Sequence, residues 1–527
     1  MFCNLKISGR RIFFCLAAVA LFASMALVAT NAAAEQQATK GGKFTVHINR
    51  DIGGFDHIKV PQGGMGRHQV LFAVHDFLFY QDDQGNLIPR LGIKATHSED
   101  YKSWKVELRK GVKFSNGEEL TSEAYVHHFN RLLSHTLADT FREQLGPRLE
   151  RVVAIDKYNI DFQFSESNTA FDSVMAGQTY VFYLNAPGFA KANEGKPDYN
   201  RMACGAGPYM LKEWIPGKGV TLVRNPYYWN PKEQHADEIF YRITGGKETS
   251  GPWNALRAAD LDAGWSLNGS ILPLARKNKD LNVITGNRGM MHWMVNFNFD
   301  HKPLDNLLVR RALVHAIDRR AIIKVVTKGE AVLANQSFPQ GSPWHINGLE
   351  YPGYDPEKAM ALLKEYGKPI PKIELWTMNI PSFKNVTVMI QAMWKKVGVE
   401  TELKVGGRGP TGLIFNVIKG VTPAWVMVGG PTIHPAIFNQ SMHSKHRGNN
   451  WRVKSPELDA AAEKVRAARG REEILKAHEE FERAKIDVLP SLPLEYAIAT
   501  VITQKDIRGI DAPTTQLMGY HNIYRVD

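Results

Sequence analysis

Residues 290–329 read MMHWMVNFNFDHKPLDNLLVRRALVHAIDRRAIIKVVTKG, and the fold turns on how they are parsed. Met294, Asn296 and Asn298 alternate with Val295, Phe297 and Phe299, the two-residue period of a strand. His301-Lys302-Pro303 breaks that strand, and Asp305 is placed to cap a helix. In this helix Val309, Leu313 and Ile317 recur at spacing four as one apolar stripe, with Arg310, Arg311 and His315 off it. Asp318 caps a second short helix carrying Ile322, Ile323 and Val326, with Gly329 as its C′ residue. The strand–helix–helix unit opens a new lobe, because the residues before it already form a self-sufficient series of hairpins and helices.

Working outward to the amino end, Lys6, Arg10 and Arg11 precede an apolar run from Ile12 to Thr30, and Ala32-Ala33-Ala34 offers a small-residue cleavage site. This is the layout of a cleaved signal peptide over residues 1–34, and the protein is expected in the periplasm. Arg10-Arg11-Ile12-Phe13-Phe14 is similar to a twin-arginine signal, although Gly9 stands where Ser or Thr is favoured and the apolar run fits the general route. Two of the three cysteines leave with the signal, so Cys204 has no internal disulfide partner and stability must come from apolar burial. The formal charge of +12 falls to +9 without the three cations of the leader. Export argues against nucleic acid as the partner of that excess and leaves an anionic membrane surface or acidic ligands.

Between the signal and residue 290 the pattern is of short strands and helices. Gly42 to Arg50 alternates as a strand, and the loop Asp51-Ile52-Gly53-Gly54-Phe55-Asp56 follows. Val70 to Tyr80 reads as a helix, and Trp104 to Phe114 as strand segments that turn at Lys110-Gly111, with a second turn at Asn116-Gly117. Thr121 is placed to cap a helix bearing Tyr125, Phe129, Leu132 and Leu133. Gly205 and Gly207 lack the third glycine of a dinucleotide fingerprint, so a backbone-turn role is expected of them. Beyond residue 329, Ile373 to Trp376 and Val399 to Val405 read as strands, and Val386–Val397, Asp459–Arg469 and Arg471–Ala484 as helices.

Three segments carry a family resemblance. N-F-N-F-x-x-x-P-L-D-N-x-x-V-R-R-A-L-x-x-A-I-D-R runs from Asn296 to Arg319, L-R-x-G-V-x-F-x-x-G-x-x-x-T from Leu108 to Thr121, and G-x-G-P-Y…N-P-x-Y-W from Gly205 to Trp229. The chain resembles the extracytoplasmic solute-binding proteins of ABC importers, in the peptide, opine and nickel group known as solute-binding protein family 5. The resemblance implies an α/β, two-lobe periplasmic-binding-protein fold of the large type II, with an extra subdomain in the first lobe. It implies lobe one at 35–289 including that subdomain, lobe two at 290–494, and a return to lobe one over 495–527. It further implies capture of a peptide or peptide-like solute by interlobe closure, and delivery to a permease and ATPase subunits at the inner membrane by a monomeric receptor without cofactor. An opine, a sugar acid or nickel are the other ligands of the group. A secreted hydrolase or a sensor-only receptor is the rival of another class, but no G-x-S-x-G or H-E-x-x-H motif is present. His127-His128 and His443-x-x-His446 lack Cys or carboxylate support nearby, so no metal site is expected.

No Asp or Glu occurs from Leu403 to Pro456, a stretch that holds Lys404, Arg408, Lys419, Lys445, Arg447, Arg452 and Lys454. In peptide-binding relatives the matching stretch carries an Asp that holds the ligand's α-amino group. Counting from Trp425 puts Val428 in that slot, and counting back from Pro435 puts Pro431 there. A buried ammonium without a counter-charge costs several kcal/mol or gives up its proton. Two readings stay open: the cations receive an anionic ligand, or they face solvent or the membrane partner. The resemblance places Phe55 and Asp56 on the ligand side of lobe one, and Trp425, Thr432 and His434 on that of lobe two. Trp would supply a rigid apolar wall, and His or Asp a polar anchor.

Overall fold

The computed structural model describes residues 39–60, 65–82, 84–136, 145, 149–178, 180–244, 250–266, 269–286, 291–407, 410–429, 434–496, 500–510 and 519–527. The segment expected to be a signal peptide, residues 1–34, and Thr432 lie outside them.

Two large sheets divide the chain. The lobe-one sheet has seven strands in the order Leu281–Thr285, Thr500–Gln504, Ala263–Ser266, Lys43–Ile48, Glu238–Ile243, Gly219–Arg224, Tyr209–Ile215. The lobe-two sheet has six, in the order Val332–Leu333, Ser491–Tyr496, His292–Phe297, Ala424–Gly429, Ile373–Met378, Thr401–Gly406. The chain crosses between them twice, from Thr285 to His292 and from Tyr496 to Thr500. A separate four-stranded antiparallel sheet, Gly92–His97, Ser103–Leu108, Asn159–Phe164 and Leu149–Asp156, packs with helix Ser122–Leu133 as the subdomain. Its core of Val106, Leu108, Phe114, Phe129, Phe162 and Phe171 is distinct from the lobe-one core around Phe44, Val46, Tyr209 and Tyr241.

The decisive stretch forms strand His292–Phe297 and helices Leu307–His315 and Arg319–Val326. Val309, Leu313 and Ile317 are buried against the strand's Val295 and Phe297, as the spacing-four stripe requires. Asp318 caps its helix, accepting from the Ala321 amide at 2.9 Å. The first helix is capped one residue later than expected: Asn306, not Asp305, accepts from the Leu308 amide at 2.9 Å. Arg310 is buried rather than outward, donating to the carbonyls of Leu304 and Val488 with its guanidinium 3.8 Å above the Phe299 ring.

Other expectations shift for local reasons. Thr121 occupies the N-cap position of Ser122–Leu133 with extended backbone, but its side chain makes no capping bond. The helix expected to reach Tyr80 ends at Val74, because the Val74 carbonyl accepts from the Gly207 amide at 2.9 Å. A Cβ on Gly205 would lie 2.1 Å from that same oxygen. These two glycines therefore serve close backbone approach rather than a turn. Glu495 and Tyr496 still belong to the lobe-two sheet, so the return to lobe one falls after Tyr496.

Candidate functional site

In lobe one the loop after strand Lys43–Ile48 is held by two residues, Asn200 and Arg67. Asn200 accepts from the Phe55 and Asp56 amides and donates to the Gly53 carbonyl at 2.9 Å. Arg67 donates to the carbonyls of Gly54 and Val60. Gly54 has φ +138, and a Cβ there would meet the Asn200 amide at 2.1 Å, so only glycine fits. The clamp turns Phe55 inward, edge-on to Trp214 with ring centroids 6.3 Å apart. It turns the Asp56 carboxylate onto Arg131 at 2.9 Å, and Arg131 also reaches Glu194 at 3.3 Å and lies over the Tyr199 ring. Phe55, Asp56, Arg131, Glu194 and Tyr199 line a small pocket.

Behind the loop, three imidazoles fasten one segment. His128 donates to the Val181 carbonyl at 2.7 Å, His57 to that of Tyr183 at 2.5 Å, and His75 to that of Leu184 at 3.0 Å. With His57 Nε2 donating, its Nδ1 is left to accept from Arg67 at 3.4 Å. Burial first, and then Arg67, hold His57 well below the usual imidazole range; burial pushes His75 to about 3 and His128 to about 4. These histidines are neutral structural donors.

In lobe two, Trp425 pairs across the sheet with Asn296 and, on its other side, with Trp376. It is buried among Met378, Leu413 and Val417, and Trp451 closes the patch by donating to Asn296 Oδ1 at 2.9 Å. His434 is buried too: its Nδ1 accepts from the Ala436 amide, and its ring stands edge-on to Trp344 at 4.8 Å. Burial, then nearby His478, pushes its pKa to about 3. The structure thus brings Phe55 and Asp56 together on one clamped loop and sets Trp425 and His434 in two separate lobe-two clusters. All four have protein partners.

Among the described residues, four cations of the acid-free segment have partners in the fold. Lys404 meets Glu402 at 2.5 Å and Glu374 at 3.7 Å, Lys454 is 3.9 Å from Asp300, and Lys419 lies over Phe415. Arg452 donates to the carbonyls of Ile418 and Asn449. His443 lies 3.5 Å from Glu463. Among the described residues no group of three His, Cys, Asp or Glu is placed to hold a metal.

One acid escaped the sequence reading. Glu495 is buried, neither of its carboxylate oxygens has a hydrogen-bond partner, and burial raises its pKa to about 7. The signal was present: an acid inside the otherwise apolar run Leu492-Pro493-Leu494-Glu495-Tyr496-Ala497.

The lobes touch at the turn between helices Pro456–Ala467 and Gly470–Val488. From lobe two, Arg466 pairs with Glu166 at 2.9 Å, Arg469 donates to the Glu99 carbonyl and lies over Tyr101, and Arg471 donates to the Gln84 carbonyl. Among the described residues no helix is long and apolar enough to cross a membrane.

Comparison with known proteins agrees with this architecture. The dipeptide-binding protein of Pseudoalteromonas sp. SM9913, solved with Met-Leu, superposes with a TM-score of 0.81 at 20% identity, over 92% of this chain and 100% of that one. The fold is that of the two-lobe periplasmic binding proteins. The di/tripeptide-binding protein 1 of Pseudomonas aeruginosa is 26% identical over 341 residues, covering 60% of this chain and 63% of that protein, so the match spans less than two thirds of its length. The nickel-binding periplasmic protein of Escherichia coli is also 26% identical, over 82% of this chain and 85% of that protein. Residues 86–442 match the sequence model of the bacterial extracellular solute-binding proteins, family 5, and the chain belongs to that family.

Proposed function

We propose that the protein is the periplasmic substrate-binding component of an ABC importer, taking a peptide or peptide-like solute between its lobes and presenting it to a membrane permease. The observation that carries this reading is the build of the molecule: two sheets joined by two short crossings and touching across an arginine-rich turn. A ligand that contacts both lobes only when they are shut shifts the population to the shut form, and the permease reads that form. Relatives named for dipeptides and di/tripeptides favour peptide as cargo. The carboxylated-solute reading has less support, because Lys404, Lys454 and Arg452, three of the cations that suggested it, have partners in the fold.

Lobe one, in this reading, contributes the clamped loop with Phe55 and Asp56, and lobe two the segment from Trp425 through Thr432 to His434. The receptor acts as a monomer and makes no covalent change in its cargo. A thermal-shift screen of di- and tripeptides, an opine, a sugar acid and Ni²⁺ tests the reading, since a ligand at 100 times its Kd adds about 2.7 kcal/mol. Peptides are expected to raise Tm and to compact the scattering profile; a response confined to Ni²⁺ or the sugar acid would overturn the peptide assignment.

A further inference from the structure

The end of the lobe-one sheet that carries both crossings holds buried polar atoms with no partner. Thr500 begins the strand after the second crossing, and its backbone pairs with Thr285 on one side and Ser266 on the other. Trp265 sits one step further in, and Asn49 directly follows the neighbouring strand Lys43–Ile48. Thr500 Oγ1, Trp265 Nε1 and Asn49 Oδ1 are each buried without a hydrogen-bond partner. Across the crossing, at the matching end of the lobe-two sheet, lies Glu495, next to Trp293 on one strand and Leu333 on the other, with both oxygens unpartnered.

A folded protein rarely leaves such groups unpaired, because a buried polar group without a partner is destabilising, and a carboxylate more so. Here they gather at the two sheet ends that border the space between the lobes. Their chemistry is complementary to one kind of molecule. Glu495 and Asn49 accept, while the Trp265 N–H and the Thr500 hydroxyl donate. No Asp or Glu occurs from Leu403 to Pro456, so that stretch of lobe two offers no carboxylate of its own.

We propose that Glu495 receives the ammonium group of the ligand, with Trp265 and Thr500 donating to an oxygen of the same molecule from lobe one. The inference rests on the receptor reading above and names its ligand class as solutes with a free primary amine. An ammonium there neutralises Glu495, whereas an acetylated amine carries no charge and leaves the carboxylate unpaired.

The test is retention of two probes by the full mature chain, read by mass spectrometry: a pool of free-amine di- and tripeptides, and the same pool N-acetylated. The wild type is expected to retain the free-amine pool at least tenfold better, and E495Q to lose that preference while melting no lower than the wild type. T500V is expected to weaken retention without changing the preference. If E495Q keeps wild-type selectivity, the assignment of Glu495 is overturned and the receptor reading stands. If the wild type retains both pools equally, the inference fails without recourse to any variant. If it retains neither pool but binds a sugar acid, the peptide reading fails together with it.

Discussion

His75, His128 and Glu495 are buried titrating side chains whose effects on stability run in opposite directions with pH. Each histidine is neutral in the fold, at about 3 and about 4, against an ordinary value of 6.5. Their contribution is therefore present above about pH 6.5 and is lost as pH falls below it, because the unfolded chain binds the protons first. Between pH 7 and pH 5 the loss is up to about 2 kcal/mol per histidine, so Tm is expected to drop over that interval and His75→Gln or His128→Gln to flatten the drop. Glu495 runs the other way. Its carboxyl, near 7 in the fold against 4.5 ordinarily, stabilises most below pH 4.5 and loses that stabilisation as pH rises to about 7. The stability of E495Q relative to the ligand-free wild type should thus rise by about 2–3 kcal/mol between pH 5 and pH 8. Denaturant titrations at the two pH values measure it, and a pH-independent difference would mean that the carboxyl does not titrate there.

At the scale of single elements, helix ends separate two residues that look alike in sequence. Asp318 makes its capping bond and Thr121 does not, so D318A should cost about 1 kcal/mol while T121A costs much less, as read by urea unfolding. The period of the apolar residues made most strands and helices legible, since Val309, Leu313 and Ile317 have only one way to meet a strand bearing Val295 and Phe297. What was not legible depended on partners far along the chain. The helix before His75 stops because Gly207, more than a hundred residues away, takes the carbonyl that would have continued it. Arg310 could be placed inside only once the Val488 carbonyl was beside it. In the candidate loop, Phe55 and Asp56 could be named from the sequence, but Arg131 as the partner of Asp56 could not. Lys404 and Lys454 drew attention in the acid-free stretch because their partners, Asp300, Glu374 and Glu402, lie outside it.

For the whole molecule, the proposed closure would turn on the two crossings, and the contacts of the arginine-rich turn would have to break for the lobes to part. Each exposed contact of this kind is worth about 0.2–1 kcal/mol, so Arg466→Ala with Arg469→Ala should move the ligand-free equilibrium severalfold toward the open form. A larger radius of gyration in solution scattering, converging with the wild type in high salt, is the expected result; an unchanged radius would show that the turn holds nothing. The placing of strand Thr500–Gln504 between Leu281–Thr285 and Ala263–Ser266 has a consequence of another kind. A chain emerging amino end first exposes most of the first lobe while the slot in its sheet is still vacant. Lobe two can close up on its own in the meantime, but the first lobe must wait for the last stretch to be threaded in. Proteolysis just before Thr500 should leave one finished lobe beside an unfinished one, a species suited to holding by a chaperone or to disposal, not to carrying cargo.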